Sequence, residues 1–451
     1  MAVTFNEAVS RAPLRPFQWI TVIICMVVLI FDGIDMQLLG LVAPLVIEEM
    51  GVDRAGFGPA MSAALIGMAI GAWGGGWLGD RIGRRNSLAL AAVVFGLATI
   101  GASQAEGVWS MASWRWVGGL GFGAAFPNSL ALASEWLPER WRPYAITTLS
   151  VGTPAGGAIV AAVADGLLDA YGWRGTFVLF GVCTLALLLL IFGLLRDSPS
   201  QLMAKGQHDK ARRMARKVLA DDVELALEDT HPEARENAPA PAATAIGVFH
   251  RSNMRLNWGV GIGFAACTMI AYGVINWITT LLTAAGFTLE QALRAASING
   301  IASIAGALAA GYLTRRYGSR LVMAATSVGL VVVVLALAWA VEAMPAAPNL
   351  AYRVMVDALV GAVGCIVSVG IATIYVMVTL GYPQSCRSAG IGFGMFAGRA
   401  GGIAISFAGG WLMDIGAGSL LPFFLTLTVA GVMVAAASFL VDRHVEPAGR
   451  A

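Results

Sequence analysis

"GWLGDRIGRR", residues 76–85, separates two long apolar runs, and "GYLTRRYGSR", residues 311–320, separates two more. Gly, Leu, Arg, Gly and Arg recur at the same spacing in both, so Gly76, Leu78, Arg81, Gly83 and Arg85 correspond to Gly311, Leu313, Arg316, Gly318 and Arg320. At the fifth step the halves differ in charge, because Asp80 corresponds to Arg315. A polar signature repeated between membrane-length runs is the mark of a duplicated bundle.

The composition supports a membrane reading. Hydrophobic residues make up 58% of the 451 and charged residues 12%, and mean hydropathy is +0.74, far from the roughly 25% charged of soluble domains. Runs this long exclude barrel strands, so the expected class is an all-α integral membrane protein. Spans are expected at 19–41, 57–78, 87–105, 109–132, 144–168 and 176–195, then at 256–282, 293–313, 321–341, 352–380, 388–413 and 420–441. That predicts two six-helix halves, 19–195 and 256–441. They are flanked by segments 1–18 and 442–451 and joined by 196–255, read as a short basic surface helix followed by a Pro/Ala-rich linker. No cleavage site follows the first run, so it is read as retained.

The charges give an orientation. With the N-terminus inside, 23 Lys/Arg fall in inner segments and four, Arg54, Arg174, Arg294 and Arg353, in outer loops. The positive-inside rule then puts both termini in the cytoplasm. The net charge of +2 gives no reason to expect nucleic acid. The five scattered cysteines and the four histidines in polar segments show no metal-ligand spacing, and no nucleotide-binding or hydrolase motif occurs. Neither a cofactor nor an enzymatic activity is expected.

Charges inside spans are costly, at least about 2.5–3.5 kcal/mol each at the bilayer centre, and so point to function. "DGID", residues 32–35, places Asp32 and Asp35 on one helix face. Asp32 lies roughly 20 Å along the helix from Trp19 at 1.5 Å per residue, deep in the core. Mutual repulsion and desolvation favour a proton on one of the two, making them the candidate proton site. Arg115 has no acid in its own span and needs Asp32 or Asp35 as a partner; that pair, loosened by protonation, could couple proton to anion. Arg399, between glycines 398, 401 and 402, is the candidate carboxylate anchor, with pairing to Asp357 as the alternative; Asp357 could also pair with Arg353. Tyr272, Asn276 and Trp277, with Phe126, Phe393 and Phe396, are candidate walls for a planar ring.

The stretch 76–85 matches, without a gap, the G-x-L-x-D-R-x-G-R-R loop of the major facilitator superfamily. "RWVGGLGFG" from Arg115, "GTPAGG" from Gly152 and "WRGTF" from Trp173 fall where that superfamily places comparable pieces. "APLRPFQW" and "DGID" resemble the aromatic acid:proton symporter family, with Ile34 in place of its Phe. The resemblance implies a proton-coupled importer of an aromatic carboxylate of the benzoate or hydroxybenzoate type, working by alternating access as a monomer in the inner membrane. It implies a cytoplasmic gate at Asp80, Arg81, Gly83, Arg84 and Arg85, repeated by Glu135 and Arg316. Proton-driven efflux of hydrophobic compounds and uptake of another organic anion are the alternatives.

Overall fold

A computed structural model describes residues 9, 13–204, 206–219, 248–345, 348–382, 386–416 and 418–446. The ends of the chain and the linker expected within 220–247 lie outside the described residues. The helices are α1 (Pro16–Met50), α2 (Gly58–Ile82), α3 (Arg84–Ala102) and α4 (Val108–Trp136). Helix Arg142–Ser150 then leads into Gly152–Leu194, which is broken at Gly172, φ 63°. The two arms, 142–171 and 173–194, are α5 and α6. The second half holds α7 (Met254–Ala284), α8 (Leu289–Tyr317), α9 (Ser319–Glu342), α10 (Leu350–Gly381), α11 (Arg387–Asp414) and α12 (Leu421–Leu440).

Among the described residues, ten segments are long and apolar enough to cross a membrane. One, Tyr144–Leu194, has 51 residues, about 75 Å of helix against a core of about 30 Å, so it makes two crossings. With α4, less apolar because it carries Arg115 and Asn128, the described helices supply twelve. Two short helices, Pro199–Ala204 and the basic His208–Ala215, follow α6. Hydropathy ends the first run at Leu41, yet α1 continues through Pro44 and Glu48 to a left-handed stop at Gly51.

The repeated signature has a backbone cause. Gly83 alone separates α2 from α3, and Gly318 alone separates α8 from α9, at φ 110° and 79°. A one-residue reversal needs positive φ, which glycine adopts without a Cβ clash. Replacing Gly83 by Ala is expected to lower the yield of folded protein, because the added Cβ would also sit 2.7 Å from the Asp197 carboxylate. Expression monitored by size-exclusion chromatography checks it; a normal monodisperse peak would contradict it.

The packing repeats as the sequence does. α2 lies against α4 and α8 against α10, while α1 lies against α5 and α7 against α11. The halves meet through α1 and α7, α2 and α11, and α5 and α8. Glycines allow the closest approaches: a Cβ at Gly71 would fall on the Leu120 carbonyl of α4, and one at Gly306 on the Cys365 carbonyl of α10. Gly71→Leu is therefore expected to prevent assembly of the first half, by separating backbones that now touch. Trp173 and Arg174 fasten the end of the first half remote from Gly83: the indole donates to Glu49 at 2.5 Å, and the guanidinium reaches Glu49 at 2.8 Å and the Ser103 carbonyl at 2.6 Å.

Candidate functional site

A cavity of about 300 Å³ lies between the halves, at the lower end of small-molecule sites. The first half contributes Gly33, Met36 and Gln37 from α1, Met68 from α2, and Thr153 and Pro154 from α5. The second contributes Phe264, Thr268 and Tyr272 from α7, Asn299 and Ser303 from α8, Ser368 and Tyr375 from α10, and Arg399 from α11.

The two aspartates of α1 have different surroundings. Asp35 is fully engaged: Arg115 donates to its Oδ2 at 2.5 Å and to its main-chain carbonyl at 3.2 Å, and Thr99 donates to its Oδ1 at 2.6 Å. This buried cluster ties α1 to α3 and α4. Asp32 is 1% exposed, yet only its Oδ2 is bonded, to the Thr153 hydroxyl at 3.1 Å; Oδ1 has no partner among the described residues. Gly33 explains how Thr153 comes so near, since a Cβ there would collide with the Thr153 carbonyl. Gly156 meets the Ile30 carbonyl in the same way, so "GTPAGG" is the surface on which α5 packs against α1.

Arg399 lines the cavity, half-buried, and has no ion pair among the described residues. Asp357 is held instead by Arg294 of α8, at 2.8 and 3.0 Å. Neither Arg399 nor Arg353 takes that carboxylate, and Arg353 Nε is buried without a partner. Asp32 is bonded to Thr153 and followed by Gly33, and both of these line the cavity with Arg399, so the unpaired cation of one half and the under-bonded acid of the other lie beside the same cavity. Thr268 donates to the Gly398 carbonyl at 2.5 Å and fixes the turn of α11 next to Arg399.

The expected aromatic walls divide. Tyr272 lines the cavity. Asn276 donates to Ser406 at 2.7 Å and joins α7 to α11. Trp277 is fully buried against Gly409. Phe126 packs on the core of the first half, Phe393 stacks edge-on with Phe249 at 5.8 Å, and Phe396 is 70% exposed on the outer surface of α11. Phe264 and Tyr375, in T-shaped contact at 4.8 Å, supply ring surface that the spacing did not suggest. Gln37, Thr153, Asn299, Ser303 and Ser368 were also missed; polar side chains in apolar spans were the available signal.

The halves seal at the end remote from Gly83. Asp414 accepts from the Ala55 amide at 2.9 Å and faces Arg54 at 4.0 Å, while Gly58 and Gly410 lie on the Phe407 and Arg54 carbonyls. Thr279 of α7 donates to the Gly40 carbonyl of α1.

The family model that matches residues 25–406 is that of the Major Facilitator Superfamily. The chain belongs to it. The 4-hydroxybenzoate transporter PcaK of Acinetobacter baylyi is 28% identical over 96% of this chain and 92% of its own length. The gallate transporter of Pseudomonas putida is 29% identical over 98% and 95%. The inward-open structure of the xylose transporter XylE from E. coli superposes with a TM-score of 0.69 at 16% identity, covering 96% of this chain and 98% of that one. It shares the fold.

In the superfamily loop, Arg84 is the hub: it donates to Asp80 at 2.6 Å and to Glu135 at 3.3 Å, within the first half. Arg85 donates to the Phe192 carbonyl at 2.8 Å, near the end of α6. Arg81 covers the Trp77 ring at 4.0 Å. In the second copy Arg316 donates to the Tyr312 hydroxyl at 2.9 Å. Because the Asp80 carboxylate is exposed, Asp80→Asn is expected to change stability by less than about 1 kcal/mol. It should nonetheless slow transport roughly tenfold by changing the balance of states, with KM within about twofold; initial rates normalised to folded protein test this.

Proposed function

We propose that this chain imports an aromatic carboxylate together with protons, by alternating access of its two halves. Arg399, without an ion pair among the described residues and lining a cavity between the halves whose other wall carries Gly33 and Thr153 beside Asp32, is the observation that carries the reading. A guanidinium can grip a carboxylate through two parallel N–H bonds, and Tyr272, Phe264 and Tyr375 offer faces and edges to a planar ring. The names of the two relatives, transporters of 4-hydroxybenzoate and gallate, agree with such a substrate.

The coupling follows from charge. A deprotonated Asp32 competes with the substrate carboxylate for the field of Arg399; protonating Asp32 removes the competitor. Proton and anion therefore favour each other's binding, and the linkage is reciprocal. Asp35, locked by Arg115 and Thr99, holds the first half together while Asp32 titrates. Arg115 is thus assigned to the framework rather than to substrate release. No chemical conversion is assigned to the site. If more than one proton accompanies each anion, the membrane potential adds about 2.3 kcal/mol per charge per 100 mV.

The charge distribution supports residues 1–18, 196–255 and 442–451 on the cytoplasmic side, and we take the protein to act as a monomer in the inner membrane. The seal between Arg54 and Asp414 is then the outer gate, closed in this structure. Uptake of radiolabelled 4-hydroxybenzoate, protocatechuate, vanillate and a sugar control, with and without a protonophore, tests the reading. Accumulation of an aromatic acid that the protonophore abolishes is the expected result. No accumulation, with reduced retention of hydrophobic compounds, would replace import by efflux.

A further inference from the structure

Two amides in the cavity wall lack partners. Gln37 of α1 is 6% exposed and its Nε2 is buried without a hydrogen bond; Asn299 of α8 is 5% exposed and its Oδ1 is in the same condition, among the described residues. Both line the cavity that holds Arg399. They come from opposite halves, yet they flank consecutive residues of α5. The Gln37 amide lies against Gly157, and Gly300, next to Asn299, lies against Ala158, whose carbonyl accepts from Ser297 at 3.3 Å. Gly364 of α10 makes room on the other side. A Cβ there would meet the Asn299 amide oxygen and stand 2.7 Å from the Ser303 hydroxyl, so these two oxygens converge on one point.

Buried polar atoms in a folded protein are nearly always bonded, and orphaned ones in a binding cavity mark what a ligand brings. Here one is a donor and the other an acceptor. A phenolic hydroxyl is both: it accepts from an N–H and donates to a carbonyl oxygen. A methoxy group only accepts, and a bare ring edge does neither.

We propose that Gln37 and Asn299 read a ring hydroxyl, Gln37 donating to it and Asn299 accepting from it, with Ser303 beside them. The cavity then selects hydroxylated aromatic acids over methoxylated and unsubstituted ones. The inference rests on Arg399 holding the carboxylate of the same molecule. Because the two amides belong to different halves, a bound hydroxyl also joins the halves across the cavity, which a ring without one cannot do.

The test is a matched set of uptake measurements on the full-length protein in liposomes. KM is determined for 3- and 4-hydroxybenzoate, 4-methoxybenzoate and benzoate, for the wild type, Gln37→Met and Asn299→Leu. The wild type is expected to show a KM for at least one hydroxybenzoate about tenfold or more below that for benzoate, with the methoxy acid between them. Each variant should raise the hydroxybenzoate KM about tenfold and leave the benzoate KM within about twofold, collapsing the ratio. Variants that raise both KM values in parallel, or leave the ratio unchanged, would overturn the assignment. If neither variant folds, the wild-type ranking decides: equal KM values for the hydroxy and unsubstituted acids overturn it. Transport of no aromatic acid by the wild type would overturn the proposed function itself, a result distinct from loss of selectivity.

Discussion

Arg399→Gln is expected to cut aromatic acid uptake at sub-saturating concentration by about two orders of magnitude. The substituted side chain keeps hydrogen-bonding capacity and loses the charge. Truncating one partner of a desolvated charge pair costs about 2–5 kcal/mol, and 2.8 kcal/mol is about a hundredfold. The anchor has no ion pair to release, since Asp357 belongs to Arg294, so once Asp32 is protonated the substrate carboxylate is its counter-charge. Arg399→Lys should fall between, because the charge remains while the two-pronged geometry is lost. The cost should lie in KM, with the amount of folded protein unchanged, because the side chain is only half-buried. A variant that transports normally would remove Arg399 from the site.

The second large effect concerns stability. Asp35→Asn is expected to destabilise the protein by about 3–5 kcal/mol, because it leaves Arg115 charged and uncompensated in the interior. That is a substantial fraction of the roughly 5–15 kcal/mol by which typical domains are stable. Thermal unfolding in detergent should show the loss, and adding Arg115→Gln should recover most of it by removing the stranded charge. Asp32→Asn should behave differently. Its partner is one hydroxyl at 3.1 Å, and an amide oxygen can accept the same bond, so the change is expected to stay within about 1 kcal/mol. Similar losses from both substitutions would mean that the two aspartates do not have the separate roles assigned here.

The architecture was legible because membrane crossing is a coarse constraint. Apolar length, the repeat of 76–85 at 311–320 and the glycines at 83 and 318 each follow from local chemistry and survive into the structure. The charged candidates were picked out for the same reason: Asp32, Asp35, Arg115 and Arg399 are expensive where they stand. Their pairing was not, because the sequence offers Arg115 two aspartates three residues apart and does not say which one Thr99 also reaches. Arg294, at the very edge of the span expected from 293, was counted with the outer loop; the Thr288 cap begins α8 earlier, and the side chain then reaches α10. The aromatic candidates failed to separate because helical spacing identifies a face without naming its neighbour. Tyr272 faces the cavity, Asn276 and Trp277 face α11, and Phe396 faces outward. Asn299 and Gln37 carry no charge, so as polar side chains in apolar spans they give a weaker signal than an aspartate or an arginine; their missing partners singled them out.

Asp32 as the proton site is the central claim, and proteoliposomes carrying Asp32→Asn test it most directly. Exchange of labelled for unlabelled 4-hydroxybenzoate needs no net proton movement, whereas accumulation driven by an imposed pH gradient does. The account predicts that the variant retains exchange and loses gradient-driven accumulation. A variant that still accumulates substrate in response to the gradient would contradict it.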